Sequence, residues 1–148
     1  HSGNVIIPNP NLRQKFSQRI KALGISPNSF GLFMATAAYS PEGAQWLDEL
    51  LHYIDGNRVI FDKKVNKIPG LSSMPLEGTY LAWVDFSGTG MEEEEFIYRV
   101  QEKAKIAVNH GSTFGTGGEK FLRFNLATPR TLVVEATKRL KDAFSDLQ

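Results

Sequence analysis

Apolar residues in the first 68 positions of this 148-residue chain recur with the period of an α-helix. One stripe has members three or four residues apart, as on a single helix face: Leu12, Phe16, Ile20 and Leu23. Asn9 and Pro10 precede the stripe and Gly24 follows it, and these residue types suit a helix cap, a first turn and a stop. The pattern therefore predicts a first helix that begins at Pro10 and ends before Gly24.

Two further helices are predicted from similar signals. The turn Ser26–Asn28 provides a cap for the stretch 31–39, whose small residues suit close helix packing. Ser40–Pro41 repeats the cap and the proline, and predicts a helix that continues to Ile68. Gly56–Asn57 lies in its middle and costs about 1 kcal/mol of helix propensity. We expect a continuous helix or a kink at that point.

Strands are predicted where β-branched and aromatic residues dominate or alternate with polar ones. The predicted strands are 5–7, 71–74, 79–86, 107–109 and 121–126, and the helices among the later ones are 91–106 and 129–144. Val5–Ile7 is expected to be a short buried strand, and Thr128–Pro129 to cap the last helix. That helix has a predicted apolar stripe of Leu132, Ala136, Leu140, Ala143 and Phe144. Glu92–Glu95 falls in a first helical turn, where carboxylates complement the helix dipole, so we assign it no catalytic role.

The order of these elements predicts the fold class. From Leu71 onward it is β, β, α, β, β, α, which favours a mostly antiparallel sheet covered by helices on one face. The fold is therefore expected to be α/β (α+β), with this sheet as a small C-terminal lobe preceded by helices and a strand. The preceding elements have no sheet of their own and are expected to belong to something larger.

Composition and charge exclude several function classes. Lys plus Arg number 17 and Asp plus Glu 16, and this balance gives no electrostatic case for nucleic acid or for an anionic membrane. No apolar run approaches the roughly 20 residues that cross a bilayer. Cysteine is absent, and the three histidines, His1, His52 and His110, are scattered, so no metal site is expected. The lack of cysteine fits a reducing cytosol.

Two segments are candidates for chemistry. The glycine-rich loop Gly111–Gly118 lacks the Gly-Lys-Ser/Thr ending of a phosphate-binding loop and is not followed directly by a helix. It is better explained as a flexible, hairpin-like connection. Arg123 lies in an alternating strand and shares a face with Phe121 and Asn125. Residue types alone leave two interpretations open, an arginine in solvent and a bidentate clamp for a carboxylate.

Four segments in the same order resemble pyridoxal 5′-phosphate (PLP) enzymes of the class I/II (fold-type I) aminotransferases. Phe121–Arg130 (FLRFNLATPR) is similar to their C-terminal signature, whose arginine binds the substrate α-carboxylate. Asn109–Gly115 resembles the preceding loop, although His110 stands where proline is common. Glu77–Phe86 resembles a strand of the small domain. Residues 37–57 are similar to the subgroup that contains cystathionine β-lyase-like carbon–sulfur lyases.

The resemblance implies a role for this segment within a larger enzyme. Arg123 would bind the carboxylate of an amino-acid substrate, with Asn125 as a possible neighbour. The lysine that forms the Schiff base with PLP, the aspartate at the pyridinium nitrogen and most phosphate ligands would lie upstream. The chain would then bind no cofactor alone and would be inactive alone. The enzyme would be a cytoplasmic homodimer without nucleic-acid or membrane partners.

The resemblance also implies a division of the chain and an origin for its start. Residues 1–56 would be a remnant of the large PLP-binding domain with an interdomain helix, and residues 57–148 the small domain. The start His1-Ser2-Gly3-Asn4, without methionine, is expected to be that of an excised fragment. The alternative is a self-standing, non-catalytic α/β interaction module. A fragment is expected to expose apolar side chains on its first two helices, notably Leu12, Phe16, Leu32 and Phe33, whereas a module is not.

Overall fold

A computed structural model describes residues 3–147 of the chain, so His1 and Ser2 lie outside the described residues. The chain forms two compact units that divide between Glu49 and Leu50. The domain boundary expected between residues 56 and 57 stays a prediction.

The first unit contains α1 (Pro10–Ala22) and α2 (Ser29–Ala38), as predicted. Asn9 Oδ1 accepts a hydrogen bond from the backbone N–H of Leu12 at 3.1 Å and so caps α1. Asn28 Oδ1 caps α2 in the same way. The caps form because an asparagine carbonyl satisfies a first-turn N–H group that has no partner within the helix.

The strand expected at Val5–Ile7 was a wrong prediction. These residues pair with no strand, and Val5 and Ile6 are 63% and 88% exposed. β-branched residues favour an extended backbone, but a strand also needs a neighbouring strand for its hydrogen bonds. The described part of the first unit contains no strand.

The long helix α3 (Pro41–Val65) continues through Gly56 and Asn57. Its start is capped by Ser40 Oγ, which accepts a hydrogen bond from the N–H of Gly43 at 3.1 Å. The helix carries Phe61 and Val65 into the core of the second unit. The continuous helix, one of the two outcomes expected at Gly56, is therefore the one observed.

The second unit is built on a four-stranded antiparallel sheet with the strand order β1-β2-β4-β3. The strands are β1 (Ser72–Ser73), β2 (Leu81–Asp85), β3 (Asn109–His110) and β4 (Phe121–Asn125). The predicted antiparallel α/β fold is confirmed. β3 begins two residues later than the predicted strand 107–109, because only residues 109 and 110 pair with β4.

The core lies between one face of the sheet and the helices α3, α4 (Glu93–Tyr98) and α5 (Arg130–Ala143). Ala82 and Val84 of β2 and Leu122 and Phe124 of β4 are buried there. Phe96 of α4 stacks on Phe86, with ring centroids 4.9 Å apart. The alternation of buried and half-buried residues along β2 and β4 is the pattern expected for a sheet with one covered face.

The two helices of this unit differ from their predictions in detail. The helix predicted over 91–106 becomes a π-helical turn at Arg99–Lys103 and ends there, two residues before Lys105, whose φ is 54°. The apolar stripe predicted for α5 is shifted by one residue in its first two turns, because Val133 and Thr137 are buried while Leu132 is 48% exposed. Thr137 can be buried because its hydroxyl donates to the carbonyl of Val134 at 2.9 Å.

No helix among residues 3–147 is long and apolar enough to cross a membrane. Within the same range no three histidine, aspartate or glutamate side chains converge as metal ligands.

Candidate anion-binding site around Arg123

Arg123 lies in the middle of β4, which is an inner strand between β2 and β3. Its direct neighbours across the sheet are Trp83 on β2 and Asn109 on β3. The neighbours of Arg123 along β4, Leu122 and Phe124, point into the core, whereas Arg123 is half-buried on the opposite face. The alternation predicted for this strand is confirmed, and it places the arginine on the face away from the core.

The guanidinium group of Arg123 has an incomplete set of partners. Its Nη2 donates to Asn109 Oδ1 at 3.0 Å, and its central carbon lies 4.3 Å from the centroid of the Phe114 ring. Its Nε is buried without an acceptor. No aspartate or glutamate among residues 3–147 forms an ion pair with it.

This arrangement fits the binding of an anion. Among the described residues the guanidinium donates one hydrogen bond, from Nη2, so a ligand can supply further acceptors for its exposed N–H groups. A carboxylate matches the planar fork of a guanidinium better than a point charge does. The π-cloud of Phe114 favours the cation on one side and leaves the edge of the guanidinium for hydrogen bonds.

Asn125, the second residue predicted for the site, is on the same face of β4 but is exposed. Its Oδ1 accepts a hydrogen bond from the N–H of Ala127 at 2.8 Å. This bond holds the turn after β4, and among the described residues no hydrogen bond joins Asn125 to Arg123. A role of Asn125 in binding therefore stays a prediction.

Asn109, Phe114 and Trp83 were not predicted as site residues from the sequence. Asn109 pairs with Arg123 only because β3 and β4 are antiparallel neighbours with Asn109 opposite Arg123. The register of this hairpin is the signal that could have identified Asn109. It depends on the conformation of the connecting loop, which residue types alone do not fix.

The loop between β3 and β4 connects two antiparallel neighbours, as predicted, but its ends are closely packed, whereas a flexible loop was expected. It begins with a short 3₁₀ turn, Gly111–Phe114. A Cβ on Gly111 would lie 2.2 Å from the carbonyl oxygen of Gly118, so the two ends of the loop touch through glycine backbones. Gly115 and Gly117 have φ values of 118° and 94°, which glycine adopts readily. The glycines thus bring Phe114 next to Arg123.

Three aromatic rings line a pocket on the same face of the sheet as Arg123. Trp83 lies edge-on to Phe114, with ring centroids 5.4 Å apart, and edge-on to Phe121 at 6.0 Å. The pocket has a volume of about 350 Å³, and Met74 and the loop glycines complete its walls. Phe114 is thus shared, because it contacts the guanidinium and also forms a wall of the pocket.

A second hydrogen-bond network anchors the chain just after β4. Asn57 of α3 is fully buried, and its Nδ2 donates to the carbonyl oxygens of Leu126 and Thr128 at 3.0 and 2.9 Å. Its Oδ1 accepts from Arg130 Nε at 3.1 Å. Arg130 Nη2 also donates to the carbonyl of Tyr53 at 3.0 Å, and the Tyr53 hydroxyl accepts from the N–H of Arg130 at 2.8 Å. The end of the Arg123 strand is therefore fixed to α3.

The residues around Arg123 fit a carboxylate but not PLP itself. That cofactor needs a lysine amine, a partner for its ring nitrogen and ligands for its phosphate. The pocket beside Arg123 is lined by aromatic, glycine, threonine and methionine residues, and no lysine or acidic residue of the described chain is among them. No step through the cofactor can be assigned to these residues.

Relatives of the chain are PLP enzymes of two activities. The cystathionine β-lyase PatB of Bacillus subtilis (strain 168) is 34% identical over 143 residues, which are 95% of this chain and 37% of the relative. The aspartate aminotransferase of Pyrococcus horikoshii is 26% identical over 141 residues, with 95% of this chain and 36% of the relative covered. No known protein-family profile matches the chain.

The same family is found by shape. The crystal structure of cystalysin from Treponema denticola, which contains PLP, superposes with a TM-score of 0.85 at 33% identity. The superposition covers 97% of this chain and 36% of that one. The chain spans about a third of the length of the curated relatives it matches. It belongs to the family of PLP-dependent aminotransferases and cystathionine β-lyases, and it matches the C-terminal part of their chains.

Proposed function

We propose that this chain is the C-terminal part of a PLP-dependent aminotransferase or carbon–sulfur β-lyase that acts on amino acids. Its contribution to that enzyme is Arg123, which binds the substrate α-carboxylate. The cofactor-binding lysine belongs to the remainder of the enzyme, so the chain is inactive alone. We further propose that the enzyme is a cytoplasmic homodimer.

The observation that carries the proposal is that the Arg123 guanidinium has no carboxylate partner among the described residues. The guanidinium is half-buried, is held by Asn109 and Phe114, and has no counter-ion in the described chain. A half-buried guanidinium without a carboxylate partner can pair with an anionic ligand. A substrate carboxylate supplies that anion, and its bidentate contact with Arg123 fixes the orientation of the amino acid.

The exposed apolar residues of the first unit support the proposal that the chain is part of a larger protein. None of residues 3–49 is buried. Leu12, Phe16, Leu32 and Phe33 are 58%, 39%, 57% and 75% exposed, as expected for a fragment. Exposed apolar residues on two neighbouring elements need a cover. They disfavour a self-standing interaction module.

The proposal is tested with Arg123→Lys in the longer enzyme. Lysine keeps the positive charge but loses the planar, two-pronged guanidinium that binds a carboxylate through two hydrogen bonds. We expect kcat/KM for amino acids to fall about 10- to 150-fold, which corresponds to about 1.5–3 kcal/mol of binding free energy. Steady-state kinetics with an amino acid and with the matching amine would show the loss only for the substrate that carries a carboxylate. An unchanged kcat/KM for the amino acid would remove Arg123 from the site.

Arg139→Lys is the matched control. Arg139 is also half-buried and its Nε is also buried without an acceptor. It differs because its Nη2 pairs with Glu135 at 3.2 Å. The control should retain kcat/KM, because Arg139 already has a carboxylate partner in the chain.

A further inference from the structure

We propose that the aromatic pocket of Trp83, Phe114 and Phe121 binds an apolar side chain of aromatic size on the ligand whose carboxylate Arg123 holds. The inference rests on the proposed function of Arg123 and specifies the class of amino acid that the site takes. Of the three rings, only Phe114 also contacts the Arg123 guanidinium.

The continuity between the pocket and the arginine is the first support. Phe114 has its ring 4.3 Å from the guanidinium carbon and also lines the pocket. Trp83 is the direct cross-strand neighbour of Arg123 and lines the same pocket. A ligand whose carboxylate binds Arg123 therefore lies beside the pocket, with the Phe114 ring between the guanidinium and the pocket.

The character of the walls is the second support. The three side chains are rings that meet edge to face, at 73° and 74°. An added ring can join such an arrangement with offset or edge-on contacts, which are the favoured geometries of aromatic pairs. Phe114 is 51% exposed although it is a large apolar side chain, so a ligand ring packed against it would remove apolar surface from water.

The size and chemistry of the pocket select the ligand. A volume of about 350 Å³ is enough for a benzene or indole ring, and a methyl group would leave most of it empty. The lining contains no charged side chain among the described residues, so a second carboxylate or an ammonium group would lose its hydration there without compensation. The pocket thus favours phenylalanine-like over aspartate-like side chains.

The test uses the 148-residue chain with Trp46→Phe. This change leaves Trp83 as the single tryptophan, because the chain contains two. Tryptophan fluorescence is titrated with propionate, with 3-phenylpropionate and with the neutral 3-phenylpropionamide. Nuclear magnetic resonance of the Arg123 Nε–H group follows the carboxylate in the same samples.

The expected result is that 3-phenylpropionate binds about tenfold more tightly than propionate, from partial burial of one ring. The neutral amide should bind more weakly than 3-phenylpropionate, because it lacks the anion. Arg123→Met should remove carboxylate binding. Phe114→Leu and Met74→Gln should each reduce the ratio of the two carboxylate affinities, and Met74→Gln does so without touching the guanidinium contact.

The outcomes separate the two proposals. Equal affinities for propionate and 3-phenylpropionate, with both lost in Arg123→Met, would overturn the pocket while leaving the carboxylate site in place. Equal affinities of the amide and 3-phenylpropionate would also overturn it, because binding of the ring would then not depend on a carboxylate at Arg123. Carboxylate affinities that Arg123→Met leaves unchanged would overturn the proposed function and, with it, the inference.

Discussion

Gly56 and Arg130 occupy adjoining space beside the long helix α3. A Cβ on Gly56 would lie 2.5 Å from Arg130 Nη2, so the guanidinium fills the place that a side chain would take. Arg130 also lies over the Tyr53 ring, 4.7 Å from its centroid, and donates to Asn57 Oδ1. The glycine lowers helix propensity, but it admits the arginine that completes the hydrogen bonds of a buried asparagine.

Gly56→Ala is therefore expected to destabilise the chain, although alanine is the better helix former. The new methyl group displaces the Arg130 guanidinium and leaves Asn57 Oδ1 buried without a donor, at about 1–3 kcal/mol. The gain in helix propensity is about 1 kcal/mol. The free energy of unfolding, measured in urea, should therefore fall by up to about 2 kcal/mol.

The control is the same substitution made together with Arg130→Ala. Without the guanidinium there is nothing to displace, so Gly56→Ala should now stabilise by about 0.5–1 kcal/mol. The reversal of sign is the coupling between the two residues in a double-mutant cycle. If Gly56→Ala stabilises both backgrounds equally, Arg130 does not occupy this space.

At the scale of elements, Arg99 links the helical segment after α4 to the residues after α5. Its side chain is only 12% exposed and donates to both Glu95 and Asp146. Its guanidinium lies over the buried Phe144 ring, 5.6 Å from the centroid. Because this cation is largely desolvated, its two carboxylate partners matter more than an exposed pair would.

The hydrogen bond from Arg99 lowers the pKa of Asp146 below its usual value. A carboxyl group with a lowered pKa in the folded state stabilises the fold above its unfolded pKa, which is about 3.9. That stabilisation disappears as the pH falls through the lower, folded-state pKa. Asp146→Asn, which imitates the protonated acid, should thus be less stable than the wild type at pH 7 and should converge with it in acid.

Urea unfolding at several pH values measures this difference. Asp142→Asn controls for the change in net charge, because Asp142 forms no ion pair with a described residue. If the free energy of unfolding of Asp146→Asn is below that of the wild type by the same amount at neutral and acid pH, the contact stabilises the fold through packing and not through the ionised carboxylate.

Elements with local signals were predictable from the sequence, and their partners were not. The caps at Asn9 and Asn28 could be predicted because the cap and the N–H group that it binds lie within one helical turn. The prediction of a strand at Val5–Ile7 was wrong because a strand needs a partner strand, which can be distant in sequence. The face of α5 was misjudged because Thr137 is polar by type, yet its hydroxyl is satisfied within the helix.

The candidate site divides in the same way. Alternation along β4 placed Arg123 off the core, and the family resemblance supplied its expected role. The contact of Arg123 with Asn109 comes from sheet register, and its contact with Phe114 from glycine backbones that let the loop close tightly. Both depend on residues far from Arg123 in sequence, so no local pattern around Arg123 could predict them.

At the scale of the whole molecule, the second unit has a connected core and the first has no buried residue in the part described. Apolar side chains of α1 and α2 are left in solvent: Leu12, Phe16, Phe30, Leu32, Phe33 and Met34. Monomeric proteins rarely expose apolar patches of more than a few hundred Å². The isolated chain is therefore expected to associate at micromolar concentration and to bind an apolar dye such as anilinonaphthalene sulfonate.

Replacement of Phe30, Phe33 and Met34 by serine should abolish most of the association and the dye fluorescence. The urea unfolding of the second unit should be unchanged, because none of the three belongs to its core. The matched control replaces three exposed apolar residues of the second unit, Val59, Tyr98 and Leu132, which should leave dye binding as it is. Sedimentation velocity and dye titration measure both effects. A wild-type chain that sediments as a monomer and binds no dye would contradict the fragment proposal. The exposed apolar residues of α1 and α2 would then need no cover, and the self-standing module would be the better description.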